Sequence, residues 1–283
     1  MAITTLGVIG TGAMGSGIIE VAAKAGVTVI ARDINPAAVE AGQGKVEGSM
    51  AKAVERGKLD DAARAAAAAN ITWTTEMADL APCDLVIEAA PENLDLKKAI
   101  FTELDGILDA EAIIATNTSS YPIIEVAMVT DRADKVVGMH FFNPATVMKL
   151  VEVISTQRTS DATRTAADAF ATDVLGKRVV HCKDRAGFVV NMLLVPYLCQ
   201  AMRMFENGHA SAPDIDEAMK LGAGHPMGPL ELSDMIGLDV MLWTAESLHD
   251  EYNEAFYAPP PLLRRMVAAG QLGRKTGQGF YSY

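Results

Sequence analysis

The sequence predicts an α/β architecture: a doubly wound, mostly parallel sheet over residues 1–184, followed by a smaller all-helical domain over residues 185–283. Three observations lead there. Short β-branched runs alternate with alanine-rich helical stretches through the first two thirds of the chain, a glycine-rich turn directly follows the first run, and no convincing strand pattern remains from Gly187 onward. Such alternation produces a parallel sheet covered by helices on both faces.

Taken in order, the strand candidates are Leu6–Ile9, Thr28–Arg32, Leu85–Glu88, Ala112–Ala115, Val136–Met139, Leu150–Ile154 and Arg178–His181. Most are short, apolar and unalternating, as strands buried on both faces must be. Ile18, Val21, Ala22 and Ala25 form an apolar helical stripe that Gly26 closes, and Pro36 opens the next helix. Beyond Asp184 the patterns at Val189–Glu206, Ala212–Leu221, Pro229–His249 and Pro261–Ala269 read as helices. The run Ala65–Ala69 reads as a short exposed helix.

Composition narrows the function. The 283 residues are 50% hydrophobic and 21% charged. A chain of this size buries roughly three quarters of its unfolded surface, and it is too apolar to stay disordered. With 36 acidic against 24 basic residues the formal net charge is −12, which argues against nucleic acid or an anionic membrane as main partner. Cys83, Cys182 and Cys199 are odd in number and far apart, and the five histidines form no HExxH. Neither a disulfide framework nor a metal site is expected, and a reducing cytoplasm fits. Residues 1–19 lack charged side chains, but glycines interrupt them and no basic region precedes them, so a soluble, untargeted protein is expected.

Gly10-Thr11-Gly12-Ala13-Met14-Gly15 matches G-x-G-x-x-G at the junction of a strand and a helix. In that context it is a Rossmann-type dinucleotide fingerprint. Gly10 permits the tight turn, Gly12 admits a pyrophosphate to the backbone, and Gly15 allows close packing. The pyrophosphate would rest on the helix N-terminus, where free amides and the helix dipole favour anions. Asp33 ends the second strand, where an acidic side chain grips the ribose hydroxyls of NAD. It would repel the extra phosphate of NADP, although the neighbouring Arg32 could pair with one.

His140 follows the apolar run Val136–Met139, at the carboxyl end of a strand, where open α/β sheets bind their ligands. Its ordinary titration range suits a proton acceptor. Twelve residues on, Glu152 stands alone inside the apolar run Leu150–Ile154. A lone buried carboxylate needs a partner, and a strand returning after Pro144 would bring it beside His140, where it would fix the imidazole tautomer. Taken singly, His140 reads as a satisfied core histidine and Glu152 as a strand residue on a solvated face; the pair is more informative than either. Asn117-Thr118-Ser119-Ser120 follows another strand and reads as a substrate-side cluster or a plain turn. Asn191 sits in an uncharged stretch and needs hydrogen-bond partners, from a ligand or from neighbouring backbone.

These segments together resemble the soluble 3-hydroxyacyl-CoA dehydrogenases, and within them the 3-hydroxybutyryl-CoA dehydrogenases. The resemblance spans nearly the whole chain, including Gly10–Ile18, Val86-Ile87-Glu88-Ala89, Asn117–Ser120, Gly138–Pro144, Met148–Ile154, Gly187–Asn191, His225–Leu230 and Gly273–Gly277. It implies NAD-linked oxidation of a short-chain (S)-3-hydroxyacyl-CoA and the reverse reduction. It matches His140 to the catalytic base, Glu152 to its orienting carboxylate, and Ser119 and Asn191 to residues holding the reacting oxygen and substrate. Glu92, Lys97, Asn143 and Lys275 match cofactor contacts. Ser49, Lys52 and Arg56 match positions that meet coenzyme A, on a helix around Val46–Lys58 whose basic residues otherwise read as a solvated face. A homodimer through the helical domain is also implied. Arg56 replaces a usual lysine, Ala186 a usual proline, and Met192 a usual arginine.

Two rivals remain at this level. One is another two-domain β-hydroxyacid or sugar-acid dehydrogenase; those usually rely on a lysine and lack the His140/Glu152 pair. The other is an NAD-binding relative without turnover, against which the four intact polar positions argue.

Overall fold

The computed structural model describes residues 2–283, which divide into two units, 2–185 and 186–283. The first unit carries β1 (Thr5–Ile9), α1 (Ala13–Lys24), β2 (Thr28–Arg32), α2 (Pro36–Glu55), α3 (Asp61–Ala69), β3 (Ile71–Thr74), β4 (Leu85–Glu88), α4 (Leu94–Ile107) and β5 (Ile113–Thr116). It continues with α5 (Ile123–Ala127), β6 (Val136–Phe141), β7 (Leu150–Ser155), α6 (Asp161–Ala169) and β8 (Arg178–Lys183). One eight-stranded sheet results, in the order β3-β2-β1-β4-β5-β6-β7-β8. Every neighbouring pair is parallel except β6 and β7. The chain leaves β1 to one side for β2 and β3 and resumes on the other at β4, so a crevice opens at the carboxyl ends of β1 and β4.

The central strands are apolar because both faces are covered. Leu6, Val8, Leu85, Ile87, Val137 and Val153 are buried in a core shared with Ile18, Ile19 and Ala22 of α1. Two helices that border the crevice start on side-chain caps: Asn35 accepts the Ala38 amide at 2.9 Å and Asn93 the Leu96 amide at 2.9 Å.

The second unit is built from α7 (Val190–Glu206), α8 (Ala212–Ala223), α9 (Pro229–Ile236), α10 (Leu238–Tyr252) and α11 (Pro261–Ala268) around its own core, which includes Leu198, Met202, Leu230, Met241, Leu248 and Leu263. The buried carboxylate of Asp216 accepts the Leu230 and Glu231 amides at 2.8 and 2.9 Å, capping α9 from across the unit.

Several details correct the sequence reading. The stretch Pro229–His249 is two helices, because Gly237 takes a φ of +104° and breaks it. Strand β3 escaped notice: Ile71-Thr72-Trp73-Thr74 is a half-exposed edge with no long apolar run. Strand β8 is the opposite edge, and its side chains are partly or fully exposed rather than buried on both faces. The basic helix begins ten residues before Val46 and ends at Glu55, leaving Arg56 at its cap and Lys58 beyond it.

Candidate active site

Construction starts with the loop after β1. Gly10 holds a φ of +90°, and a Cβ there would lie 2.6 Å from the Ala89 carbonyl oxygen. A Cβ on Gly15 would fall 1.7 Å from the Gly10 carbonyl oxygen, so only glycine closes the turn against the helix. Gly12 differs: a Cβ there would meet nothing within 4 Å. It is the N-cap of α1 and has no side chain to cap the helix. The first turn of α1 thus has no side-chain cap from Gly12, the arrangement a pyrophosphate requires.

A cavity of about 500 Å³ lies along this loop. Gly10, Gly12, Ala13 and Met14 line one part, Arg32, Asp33 and Ile34 another, and Ala89–Glu92, Lys97 and Asn117 a third. It has the size and wall chemistry of a dinucleotide site. Asp33 Oδ2 accepts the Thr11 amide and hydroxyl, each at 2.7 Å, and Oδ1 accepts the Ile34 amide at 2.7 Å. Burial opposes its charge, but these bonds and the adjacent Arg32 hold the carboxyl below its usual range. The Arg32 guanidinium is tied to the Thr75 carbonyl, its Nε at 3.1 Å. Thr11 fills a variable position of the fingerprint, so nothing in the motif spacing marks its bond to Asp33.

On the far wall, the carboxyl ends of β4 and β5 carry a connected polar group. Glu88 is fully buried; its Oε1 accepts Lys97 Nζ and the Ala90 amide, both at 2.7 Å, and its Oε2 accepts the Thr116 hydroxyl at 2.7 Å. Lys97 Nζ also lies 3.4 Å from Glu92 Oε2. Glu92 in turn accepts the Ser119 amide at 3.0 Å and the Thr118 hydroxyl at 2.8 Å. Sequence reading passed over Glu88, although a single carboxylate ending an apolar strand is the signal that drew attention to Glu152.

His140 and Glu152 stand directly opposite each other in the antiparallel β6–β7 register. His140 Nδ1 lies 2.7 Å from Glu152 Oε2; the imidazole is 8% exposed and the carboxylate fully buried. A pair at that distance is a short, charge-assisted contact whenever the imidazole is protonated. The Phe142 ring packs beside the imidazole, with centroids 4.6 Å apart. The next amide, Phe141 N–H, donates to Asn117 Oδ1 at 2.9 Å, which ties the end of β6 to the segment holding Ser119.

The structure thus brings the glycine loop, Asp33, Glu92 and Lys97 onto one cavity. Ser119 joins it through Glu92. Ser49 and Asn143 meet elsewhere, with Ala13, Ser16, Glu20 and Lys45, around a cavity of about 110 Å³. Lys52 and Arg56 are exposed near the end of α2 and do not line it. Asn191 belongs to the second unit, half-buried in the first turn of α7. Lys275, also in that unit, is exposed and pairs with Asp239 at 2.5 Å. Among the described residues no cluster of three or more His, Cys, Asp or Glu side chains is arranged to hold a metal ion. No helix among them is long and apolar enough to cross a membrane.

Residues 5–185 match the profile of the 3-hydroxyacyl-CoA dehydrogenase NAD binding domain, and residues 187–283 match that of the 3-hydroxyacyl-CoA dehydrogenase C-terminal domain. A 3-hydroxybutyryl-CoA dehydrogenase of Mycobacterium tuberculosis is 49% identical over 283 residues, covering 100% of this chain and 99% of the relative. The crystal structure of M. tuberculosis FadB2 superposes with a TM-score of 0.99 at 48% identity, over 100% of both chains. That of (S)-3-hydroxybutyryl-CoA dehydrogenase PaaH1 from Ralstonia eutropha gives 0.96 at 48% identity, over 100% of this chain and 99% of the other. The chain belongs to the 3-hydroxyacyl-CoA dehydrogenase family.

Proposed function

We propose that the protein interconverts (S)-3-hydroxybutyryl-CoA and acetoacetyl-CoA, with His140 as the general acid–base and Glu152 as its orienting partner. The 2.7 Å contact between a nearly buried imidazole and a fully buried carboxylate carries this reading. Glu152 accepts the hydrogen bond from Nδ1–H, which leaves Nε2 to accept the substrate hydroxyl proton during oxidation and return it during reduction. A buried carboxylate also favours the imidazolium that forms as the proton moves. Ser119, held by Glu92, and Asn191 are assigned to the reacting oxygen.

A bound nicotinamide cofactor supplies hydride acceptance and donation at substrate C3. The glycine loop would hold its pyrophosphate and Asp33 a ribose hydroxyl, with Glu92, Lys97, Asn143 and Lys275 as further contacts. The cofactor is NAD rather than NADP: Asp33 is held as a carboxylate, and Arg32 is engaged with the Thr75 carbonyl. Ser49, Lys52 and Arg56 are assigned to coenzyme A, the two cations countering its phosphates on an acidic protein. The units themselves are read as a cofactor-binding domain and a substrate and dimerisation domain. Leu193, Leu221, Met235 and Val240 are exposed on the helical unit and supply apolar surface for a homodimer. Cys83, Cys182 and Cys199 are free thiols, which suits a cytoplasmic enzyme.

The test is NADH absorbance with acetoacetyl-CoA as substrate. Turnover with NADH at a kcat/KM at least about tenfold above that with NADPH is expected, about 1.4 kcal/mol of discrimination. No oxidation of NADH would refute the reaction, and a preference for NADPH would refute the cofactor assignment.

A further inference from the structure

The polar group beneath the cavity wall contains one residue for which the catalytic reading has no use. Glu88 ends β4 fully buried, and Lys97, the first-turn-to-second-turn residue of α4 it pairs with, is 1% exposed. Enclosing two opposite charges this completely gives little net stability over an apolar pair of the same volume, because desolvation consumes the attraction. The pair does fix geometry. Glu88 is tied to the carboxyl ends of neighbouring strands, to the loop between β4 and α4 and to the start of α4: its side chain accepts Ala90 N–H, Lys97 Nζ and Thr116 Oγ1, and its carbonyl accepts Asn117 N–H at 2.8 Å. Lys97 then meets Glu92 at 3.4 Å and the Ala90 carbonyl at 3.4 Å, and Glu92 holds the Ser119 amide.

We infer that Glu88 is a positioning residue for the reaction, acting through Lys97 and Glu92 on Ser119. The inference rests on the assignment of Ser119 to the reacting oxygen. Physically, Lys97 lies between two carboxylates. With Glu88 charged, the ammonium is shared, and Glu92 keeps both oxygens on Thr118 and Ser119. With Glu88 neutral, the ammonium has a single anionic partner, Glu92, and draws it off the Ser119 amide. The Ser119 hydroxyl moves with its backbone. A displacement of about 1 Å at an oxygen-binding group costs on the order of 100-fold in turnover while barely altering how tightly the rest of a large substrate is held.

Glu88→Gln tests this, being nearly isosteric; it removes the charge and turns one acceptor oxygen into an amide donor. Turnover of acetoacetyl-CoA should fall about 10- to 100-fold with the acyl-CoA KM within about threefold of the parent. A second readout needs no turnover. Amide hydrogen exchange of the ligand-free protein should accelerate about tenfold in the peptide covering residues 117–121 while the sheet strands keep their protection. Glu88→Asp, which keeps the charge but shortens the side chain by one methylene and draws the carboxylate back from Lys97 Nζ, should give the same pattern at about threefold. It serves in place of Glu88→Gln if that variant does not fold. Parent-like turnover and exchange in these variants would overturn the inference, as would exchange raised throughout the sheet, which marks general destabilisation. If the parent protein itself fails to oxidise NADH with acetoacetyl-CoA, the reaction assignment falls, while the exchange measurement still decides whether Glu88 positions Ser119.

Discussion

Replacing Glu152 with glutamine tests the His140–Glu152 assignment with little change in shape. The carboxylate lies 2.7 Å from His140 Nδ1 and is fully buried, so its charge acts on the imidazole with little screening by water. Two unit charges with centres about 4 Å apart at an effective dielectric near 20 attract by about 4 kcal/mol. Glutamine keeps a hydrogen-bonding oxygen but loses that attraction. It can also turn its amide towards Nδ1, which selects the wrong tautomer. If half to all of the attraction is felt as the imidazolium forms, the loss is about 2–4 kcal/mol, or roughly 30- to 1000-fold in kcat. NADH oxidation with acetoacetyl-CoA measures it, and fluorescence titration of NADH should show an affinity within about twofold of the parent. A variant that keeps more than about a third of parental kcat, or that loses NADH binding in proportion to turnover, would refute the reasoning.

Other changes separate the remaining parts. Gly15→Ala places a methyl group 1.7 Å from the Gly10 carbonyl oxygen, so thermal denaturation should show a loss of about 2–4 kcal/mol together with weakened NADH binding. Neutralising Lys52 and Arg56 together should raise the Michaelis constant for acyl-CoA several-fold, roughly 1 kcal/mol of lost binding, more than that for NADH; equal effects would remove them from the coenzyme A site. Asp84 reports on pH. Burial opposes its charge, yet the Thr4 and Thr5 amides at 2.8 and 2.9 Å and the Thr4 hydroxyl hold its pKa below the unfolded value. Its contribution is therefore present above the unfolded carboxylate range and is lost as pH falls through the folded pKa. Asp84→Asn should cost about 0.5–1 kcal/mol in urea denaturation at pH 7, kept small by solvent screening, and the gap should narrow below about pH 4.

Much of the fold was legible because parallel strands and their helices announce themselves locally. β2 and β4 match the apolar runs residue for residue, and Pro36 opens α2 as expected, with Asn35 as its cap. The failures share a cause. Strand β3 is paired on one side only and half-exposed, so its residues need no apolar run. The break at Gly237 lies in a stretch whose apolar spacing continues through it; a φ of +104° has no hydrophobic signature. The candidate site divides in the same way. Gly10, Gly12 and Gly15 declare their roles by spacing, whereas Thr11 and Glu88 act through residues 22 and 9 positions away.

Local sequence dictates the alternation of strand and helix, the glycine turn, the placing of His140 after an apolar strand and the isolation of Glu152 in another. These follow from local periodicity and from the cost of burying charge. Tertiary structure decided the partners. The antiparallel turn from β6 into β7 sets His140 opposite Glu152, and the pairing of β4 with β5 sets Glu88 beside Thr116. A shift of one residue in either register would turn these side chains to the other face of the sheet. Pairing and register are long-range properties, settled by which strand lies beside which, and hydrogen bonds between groups distant in sequence exist only once that is fixed.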